Sequence, residues 1–468
     1  MLHATADVDE SVALEACEFW STLAMSQEGQ EALKPYLPRL IPLLISRMRL
    51  TEHQVMSDRI EEEEHASGER HVNIKPLHYR GKSGSGADEE DEDVGGAWTI
   101  RRQSAAVFDN IAVVFDSSLV LPYALSSISA LLQAEDVWNR ECGMLALGAL
   151  SRGCQDDLTE FIPQIYPFLL ESLANPVPEV RSIACWTLGR FCDMVIEQED
   201  KQVGNENLAK LLQVLLPTML DAKPKVQSAS CSALCTIMEV AGERTKYFIS
   251  PILSNIQQAF GIYGVKNLLL LCDTIGTLAD NAGADLGHPQ LSEKYLPQLV
   301  RLFDEYEDNN MNLFPVMECL TSVIAVIGGE FGPYANPTFL RCMRIVTHTM
   351  SANAAADAGQ YFDGVDVPPK DFAICALDVI GSLAEGMGSH FSKIIEGNEN
   401  NLLEVLFSCM KDTMDAIRQS AFSLAGDITV SYTALLLPVK NQVIDRIILF
   451  GVILSQLPLD VYARRWKS

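Results

Sequence analysis

The chain has 468 residues, of which 48% are apolar and 7% aromatic, and its 35 Lys and Arg against 62 Asp and Glu give a formal charge of −27. The apolar content is sufficient for a large core, while so few aromatic residues are unusual for an all-β protein. The negative charge argues against bulk electrostatic binding to nucleic acid or to an anionic membrane, because phosphate neutralisation needs Lys and Arg. Binding of basic partners and simple solubility both remain open as reasons for this charge.

Cysteine usage and hydropathy indicate the compartment. The twelve cysteines are spread from Cys17 to Cys409 without a CxxC pair, and most lie in apolar helical stretches, which is typical of reduced core thiols. No apolar run approaches the roughly 18 residues of a membrane span, and the first residues lack the basic and apolar regions of a signal peptide. We therefore predict an intracellular, soluble protein without membrane insertion or direct nucleic-acid binding.

An internal repeat is the main feature of the sequence. Arg101, Arg140, Arg181 and Gln227 are spaced 39, 41 and 46 residues apart, each at the second position of a segment with small residues at helical spacing. These segments follow stretches rich in Leu, Ile and Pro, such as FIPQIYPFLLESLA (161–174). Units of about 40–47 residues with two amphipathic helices are typical of HEAT repeats, which bury their apolar faces by stacking. We predict an all-α HEAT-repeat α-solenoid, a superhelical stack of about nine antiparallel helix pairs.

The pattern divides the chain into four parts. We expect partial N-terminal repeats at 1–50, a disordered acidic loop inserted within a repeat at 51–97, and a continuous repeat array at 98–430 with a short flexible break near 352–369. Residues 431–468 lack clear helix pairs and are expected to form a divergent tail. Because the first segment resembles a second helix without its partner and the tail lacks a polar cap, we expect a part of a longer array.

The predicted loop carries a concentrated negative charge. Between Thr51 and Gly96 there are 13 acidic and five basic residues, which contribute −8 of the −27, while the rest of the chain retains −19. With few apolar residues, such a segment is predicted to be disordered. Its two anionic blocks are Glu61, Glu62, Glu63, Glu64 and Asp88, Glu89, Glu90, Asp91, Glu92, Asp93.

Motifs for catalysis are missing from the sequence. The GKS at 81–83 lacks the preceding glycine of a P-loop, and HExxH, GxSxG and GxGxxG after a strand do not occur. His65 and His71 share the acidic segment without a metal-ligand pattern. We predict a protein that is not an enzyme and that needs no metal or other cofactor.

Acidic residues recur on predicted second helices. DTIGTLAD (273–280) and DVIGSLAE (378–385) each place two carboxylates seven residues apart, hence on one helix face about 10 Å apart along the axis. Such ladders suit an extended basic peptide, although any amphipathic helix needs a polar face. The role of Trp186 has two interpretations as well: it is either a core residue or an aromatic platform on the concave surface.

Several motifs together resemble the transportin family, the import receptors of the karyopherin-β class. They are VALEACEFW (12–20), the acidic insertion followed by WTIRRQSAA (98–106), RSIACWTLGR (181–190), KNLLLLCDTIGTLAD (266–280), DFAICALDVIGSLAEG (371–386) and IRQSAFSLAGD (417–427). The resemblance covers about nine tenths of the chain. It implies a nuclear import receptor that binds cargo with a basic proline–tyrosine nuclear localisation signal and releases it when Ran·GTP binds.

The resemblance also implies a cargo site on the concave second helices. Trp186 would stack on the proline or tyrosine ring, Asp109 would accept from the tyrosine hydroxyl, and Arg190 would contact the peptide. Ile374 would supply an apolar contact beside the acids that bind the signal's basic segment. The implied site comprises Ala106, Asp109, Leu145, Ile183, Trp186, Arg190, Glu239, Asp273, Asp280, Ile374, Asp378, Glu385 and Asp427.

Partners and regulation follow from the same resemblance. The acidic loop would compete with cargo for the concave face, because a tethered anionic segment has a high effective concentration there. FG-repeat nucleoporins and Ran would be partners, with Ran binding weakened or lost because the family's N-terminal repeats are missing, and the protein would shuttle between cytoplasm and nucleus. A general HEAT scaffold without import activity and a non-functional truncated fragment are the alternatives.

Overall fold

The architecture is a succession of helices, and the computed structural model describes residues 1–51, 54–56, 99–359, 367–396 and 401–431. These residues contain no strand, which confirms the predicted all-α class. The α-helices are α1 (Leu2–Thr5), α2 (Glu10–Ala24), α3 (Gln27–Leu33), α4 (Leu37–Arg47), α5 (Ile100–Val114), α6 (Ser117–Leu132), α7 (Val137–Ser151), α8 (Gln155–Leu158), α9 (Ile162–Ser172), α10 (Pro178–Ile196), α11 (Lys201–Leu215), α12 (Pro224–Ala241), α13 (Ile249–Ala259), α14 (Val265–Ala282), α15 (Pro289–Ser292), α16 (Leu296–Glu305), α17 (Leu313–Ile327), α18 (Gly332–Asp357), α19 (Asp371–Met387), α20 (Phe391–Glu396), α21 (Leu402–Cys409) and α22 (Asp415–Ser431).

The chain divides into two compact units, Met1–Ala282 and Gly283–Ser468. In the first unit, the second helices α2, α5, α7, α10, α12 and α14 each pack on the next one along the chain. In the second unit, α17, α19 and α22 do the same. The predicted helix-pair repeat is therefore observed within each unit, whereas the division after Ala282 was not predicted from the sequence.

A recurring hydrogen bond explains the polar residue at the second position of the repeat. The side chain at this position reaches back to the main-chain carbonyl six residues earlier, in the turn before the second helix. This hydrogen bond gives a partner to a carbonyl oxygen that lies outside the hydrogen-bond pattern of the helices. The donor–acceptor distances are 2.8 Å from Arg140 to Ala134, 2.8 Å from Arg181 to Asn175, 2.8 Å from Gln227 to Asp221 and 2.6 Å from Arg418 to Asp412.

Some of these residues also join neighbouring repeats. Arg181 forms two hydrogen bonds of 2.7 and 2.8 Å with the carboxylate of Asp221, forty residues further on. Arg101 pairs with Glu141 over the same sequence separation. Since Glu141 is only 1% exposed, this pair links α5 to α7 inside the protein and fixes their relative register.

The cysteines behave as small core residues. All twelve are free thiols, and only Cys235 is more than marginally exposed. Burial raises the pKa of the Cys185 and Cys192 thiols to about 12, so both are protonated at neutral pH. The interpretation of these residues as reduced apolar packing groups agrees with this environment.

One predicted boundary is wrong. A break was predicted near 352–369, but α18 continues to Asp357, because the Ala-rich run 354–356 favours helix. The described chain resumes at 367, where Asn353 Nδ2 donates to the Pro368 carbonyl at 2.9 Å. The predicted tail at 431–468 lies outside the described residues except for Ser431, and so does almost all of the predicted acidic loop.

Two stretches of the second unit are more apolar than the sequence analysis recognised. Leu313–Asp357 and Asp371–Glu396 reach mean hydropathies of 1.5 and 1.3 over 18 residues, which satisfies the length and composition of a membrane span. The first stretch is interrupted at Gly328, whose φ of 53° ends α17. In the two windows, 56% and 67% of the residues are buried inside the protein. Packing between helix pairs therefore accounts for their hydropathy.

Candidate functional site

A buried carboxylate and two arginines form the centre of the predicted site in the first unit. Asp109 on α5 is 3% exposed, and its Oδ1 accepts from Arg190 Nη2 at 2.8 Å. Its Oδ2 accepts from Arg152 Nη2 at 2.9 Å. Asp109 is buried and both of its oxygens accept hydrogen bonds from arginines, and the expected direct hydrogen bond from a ligand hydroxyl to Asp109 stays a prediction. The two arginines are the exposed members of the cluster.

Trp186 lies beside this cluster and is half-buried. The Arg190 guanidinium carbon is 5.6 Å from the centre of its ring, within the range of a cation–π contact. Across the ring lies Gly148 of α7, where an added Cβ would clash with the ring carbons Cζ3 and Cε3. Trp186 is thus neither fully core nor fully exposed: one part of the ring packs on α7, and another part reaches the surface.

The apolar residues of the predicted site differ in exposure. Ala106, one turn before Asp109, and Ile183, one turn before Trp186, are both partly exposed. Leu145, one turn before Gly148, is only 7% exposed. The structure therefore brings these three helices together around Trp186, but Leu145 contributes to packing more than to the surface.

Arg152 was missed by the sequence analysis. It follows α7 directly and lies 43 residues after Asp109, so it belongs to the next repeat. The feature of the sequence that could have identified Arg152 is its position directly after a second helix. From there its side chain can contact the second helix of the preceding repeat. Sequence spacing alone does not specify that its partner is a buried aspartate.

Three acids follow on the next second helices of the first unit. Glu239 on α12 and Asp280 on α14 are exposed, and Asp273 on α14 is half-buried. The charge of Asp273 contributes to the raised pKa of Cys235 on α12, so this carboxylate lies at the α12–α14 seam. Glu239 acts in the same direction on Cys192 of α10, which places it at the α10–α12 seam. Asp273 and Glu239 thus each act on a thiol of the preceding second helix.

The second unit holds a distinct acidic cluster. Asp378 and Glu385 are exposed on α19, and Asp427 on α22 is half-buried. Burial, which is the largest cause, together with the charges of Glu385 and then Asp378 raises the pKa of Asp427 to about 6. The Asp427 Oδ2 lies 3.0 Å from the position of a Cβ on Gly381, so the missing side chain gives this carboxylate room beside α19.

Other predicted contacts are placed differently or lie outside the described residues. Ile374 is 3% exposed and belongs to the core of the second unit, and its expected apolar contact with a ligand stays a prediction. The acidic-loop residues 61–64 and 88–93 are not among the described residues. Within the described ranges, no group of three or more His, Cys, Asp and Glu side chains could hold a metal ion.

Comparisons with known proteins agree on the repeat. A family model described as a HEAT-like repeat matches residues 137–191, which include α7 to most of α10 and hence Leu145, Ile183, Trp186 and Arg190. Among solved structures, Kap121p bound to Pho4p matches with a TM-score of 0.58 at 15% identity, covering 96% of this chain and 46% of that one. A Kap95p structure from a study of RanGDP matches with a TM-score of 0.57, covering 95% and 54%. The fold is therefore a HEAT-repeat α-solenoid of the karyopherin kind.

Sequence relatives narrow this class. Transportin-1 of Mus musculus is 35% identical over 445 residues, covering 92% of this chain and 48% of that protein. Importin subunit beta-2 of Schizosaccharomyces pombe is 34% identical over 456 residues, covering 92% and 50%. The chain is a homologue of the transportin family over about nine tenths of its length, which confirms the resemblance. It spans about half the length of these relatives, whose names are those of transport proteins and not of enzymes.

Proposed function

We propose that this chain is a transportin-like nuclear import receptor that binds cargo through a basic segment followed by a proline–tyrosine pair. The observation that carries the proposal is the half-buried Trp186 beside Arg190, followed by acids on the next second helices of the same unit. An aromatic face suits a proline or tyrosine ring, and exposed carboxylates suit Lys and Arg. Homology to transportins over most of the chain supports the same assignment.

The chemistry of the two ends differs. At the aromatic end, the half-buried Trp186 ring packs on the ligand ring, while Arg190 offers a polar donor to a carbonyl or hydroxyl oxygen. At the acidic end, Glu239, Asp273 and Asp280 attract the basic residues through charge. The separate acidic cluster of the second unit, Asp378, Glu385 and Asp427, likewise suits basic residues. Because most of these carboxylates are exposed, their contribution falls with increasing salt.

Regulation and partners are part of the proposal. Ran·GTP would promote release by way of the acidic segment 61–93, which would compete with cargo for the concave face. FG-repeat nucleoporins would carry the receptor between cytoplasm and nucleus. Titration of the chain with Ran·GTP measures this contact directly.

The test is titration of the chain with a labelled basic peptide ending in R-x2–5-P-Y at low and moderate salt. We expect Trp186→Ala to abolish measurable affinity, and Asp273→Lys or Asp378→Lys to weaken it about tenfold at low salt. Asp357→Lys, at an exposed carboxylate outside the predicted site, is the matched control and should have little effect.

Each alternative predicts a different result. A HEAT scaffold without import activity would not distinguish the peptide from one with Pro-Tyr replaced by Ala-Ala. A fragment without a stable fold would melt non-cooperatively and aggregate before any binding is measured. Indifference of binding to all three site variants would contradict the proposed function.

A further inference from the structure

Arg152 and Arg190 share one carboxylate in a specific way. Each guanidinium takes a different oxygen of Asp109, with Arg152 on Oδ2 at 2.9 Å and Arg190 on Oδ1 at 2.8 Å. The Asp109 side chain is 4% exposed, while those of Arg152 and Arg190 are 36% and 21% exposed. The carboxylate is therefore the buried fixed point between two partly exposed cations.

The position of Arg190 is set by several contacts at once. In addition to Asp109, its Nε lies 3.4 Å from the Gly148 carbonyl oxygen, and its guanidinium carbon lies 5.6 Å from the Trp186 ring centre. An arginine beside a free carboxylate tends to form a bidentate pair that uses both oxygens. With Oδ2 bound by Arg152, Arg190 makes its contact through Nη2 to Oδ1 and remains beside the ring.

We propose that Arg152 is a positioning residue: by holding Oδ2 of Asp109, it keeps Arg190 beside Trp186 and so shapes the surface that recognises the ligand's aromatic end. The selectivity part of this inference rests on the proposed function, while the geometric part concerns the chain alone. Loss of Arg152 removes its hydrogen bond to Oδ2, Arg190 turns towards a bidentate pair with Asp109, and the Trp186 ring loses its cationic neighbour.

A spectroscopic measurement tests the geometric part without any ligand. The chain has five Trp, so the emission of Trp186 is obtained as the difference between a protein and its Trp186→Phe counterpart. We expect this difference spectrum to shift for Arg152→Gln, and to remain near that of the parent for Arg152→Lys, which keeps a cation for Asp109. Arg244→Gln is the matched control, because Arg244 pairs with Glu197 within the same unit.

Peptide selectivity tests the functional part. The ratio of affinities for peptides ending in Pro-Tyr and Pro-Ala should fall about fivefold in Arg152→Gln, the size of a lost cation–π contact. The salt dependence should persist, since the acidic face is intact, and Arg152→Lys should restore most of the ratio. A merely structural role would instead weaken both peptides equally.

The outcomes separate the two proposals. An unchanged Trp186 spectrum in folded Arg152→Gln overturns the positioning role, whatever the peptides do. A shifted spectrum with an unchanged ratio overturns its part in selectivity. If the parent chain binds neither peptide, the proposed function fails, but the spectra still decide whether Arg152 positions Arg190. If Arg152→Gln does not fold, Arg152→Ala takes its place, and an unshifted Trp186 spectrum in that variant overturns the positioning role.

Discussion

Two aspartates at related positions of their second helices have opposite surroundings. Asp109 on α5 is buried and bound by Arg152 and Arg190, whereas Asp427 on α22 is half-buried and flanked by Glu385 and Asp378. In the first unit, a negative charge is neutralised by two positive charges. In the second unit, the negative charge of Asp427 lies near those of Glu385 and Asp378, and the pKa of Asp427 is raised to about 6.

The difference shows that the repeat position does not decide the role of a carboxylate. Asp109 acts as an internal anchor for cations, because neighbouring helices supply arginines. Asp427 remains available as part of an acidic surface, because α19 presents two more acids next to it. The following predictions test this contrast, starting with the largest expected effect.

Removing the anchor should strongly destabilise the first unit. Asp109→Ala leaves Arg152 and Arg190 without their shared buried partner, so the free energy of unfolding should fall by about 3 kcal/mol. Urea denaturation measures this change. The exposed Asp378→Ala is the control, with an expected change within about 0.5 kcal/mol. Equal effects of the two variants would contradict the distinction between anchor and surface acid.

Filling the space beside the aromatic ring should have a smaller effect. In Gly148→Ala, the new Cβ collides with the Trp186 ring, and the free energy of unfolding should fall by about 1–3 kcal/mol, with a change in Trp186 emission. The control is Gly189→Ala on the same helix as Trp186, where the nearest atom to a Cβ is Ala233 Cα at 3.5 Å. If Gly148→Ala left the free energy of unfolding unchanged, the Trp186 ring would be able to move away from α7.

The acidic cluster should respond to pH. Because the pKa of Asp427 is raised to about 6, folding favours its protonated form, and this contribution to stability is lost as pH rises through about 6. The difference in the free energy of unfolding between Asp427→Asn and the parent should therefore increase in favour of the variant from pH 5 to pH 7.5. After allowance for solvent screening, this increase is about 1 kcal/mol. Denaturation at the two pH values measures it, with Asp357→Asn as the control. A gain that shrinks with increasing pH would contradict the assignment.

Removing one neighbouring charge gives the smallest effect. Glu385→Gln should lower the pKa of Asp427 by less than about one unit, because burial is the larger cause and remains. Carbon-detected NMR titration of the Asp427 carboxyl measures this shift. Asp378→Asn should lower the pKa by less than Glu385→Gln does. The reverse order would show that Asp378, and not Glu385, is the nearer charge.

Much of the fold was accessible from the sequence. The spacing of Arg101, Arg140, Arg181 and Gln227 predicted the repeat, and hydrogen bonds from three of these side chains to carbonyls six residues earlier give its physical cause. The extent of α18 was misjudged, because Gly, Asp and Pro near 360–369 obscured a run of good helix formers. The division after Ala282 left no signal, since it depends on how helices pack and not on their periodicity.

The candidate site was predicted less completely. Helical spacing predicted that Asp273 and Asp280 share α14 and that Asp378 and Glu385 share α19. It did not reveal the partnership of Asp109 with Arg152, because that contact joins residues 43 positions apart on different helices. Ile374 was assigned to the surface although packing buries it.

The sequence by itself determined the helix pairs, their repeat length and the acidic character of the second helices, because these follow from local periodicity and composition. Only the tertiary structure decided which carboxylates are neutralised and which repel one another. Ionisation depends on burial and on charges within a few ångströms, and those distances arise when separate repeats pack together. The same acidic residue type therefore serves as an internal anchor at Asp109 and as a titrating surface group at Asp427.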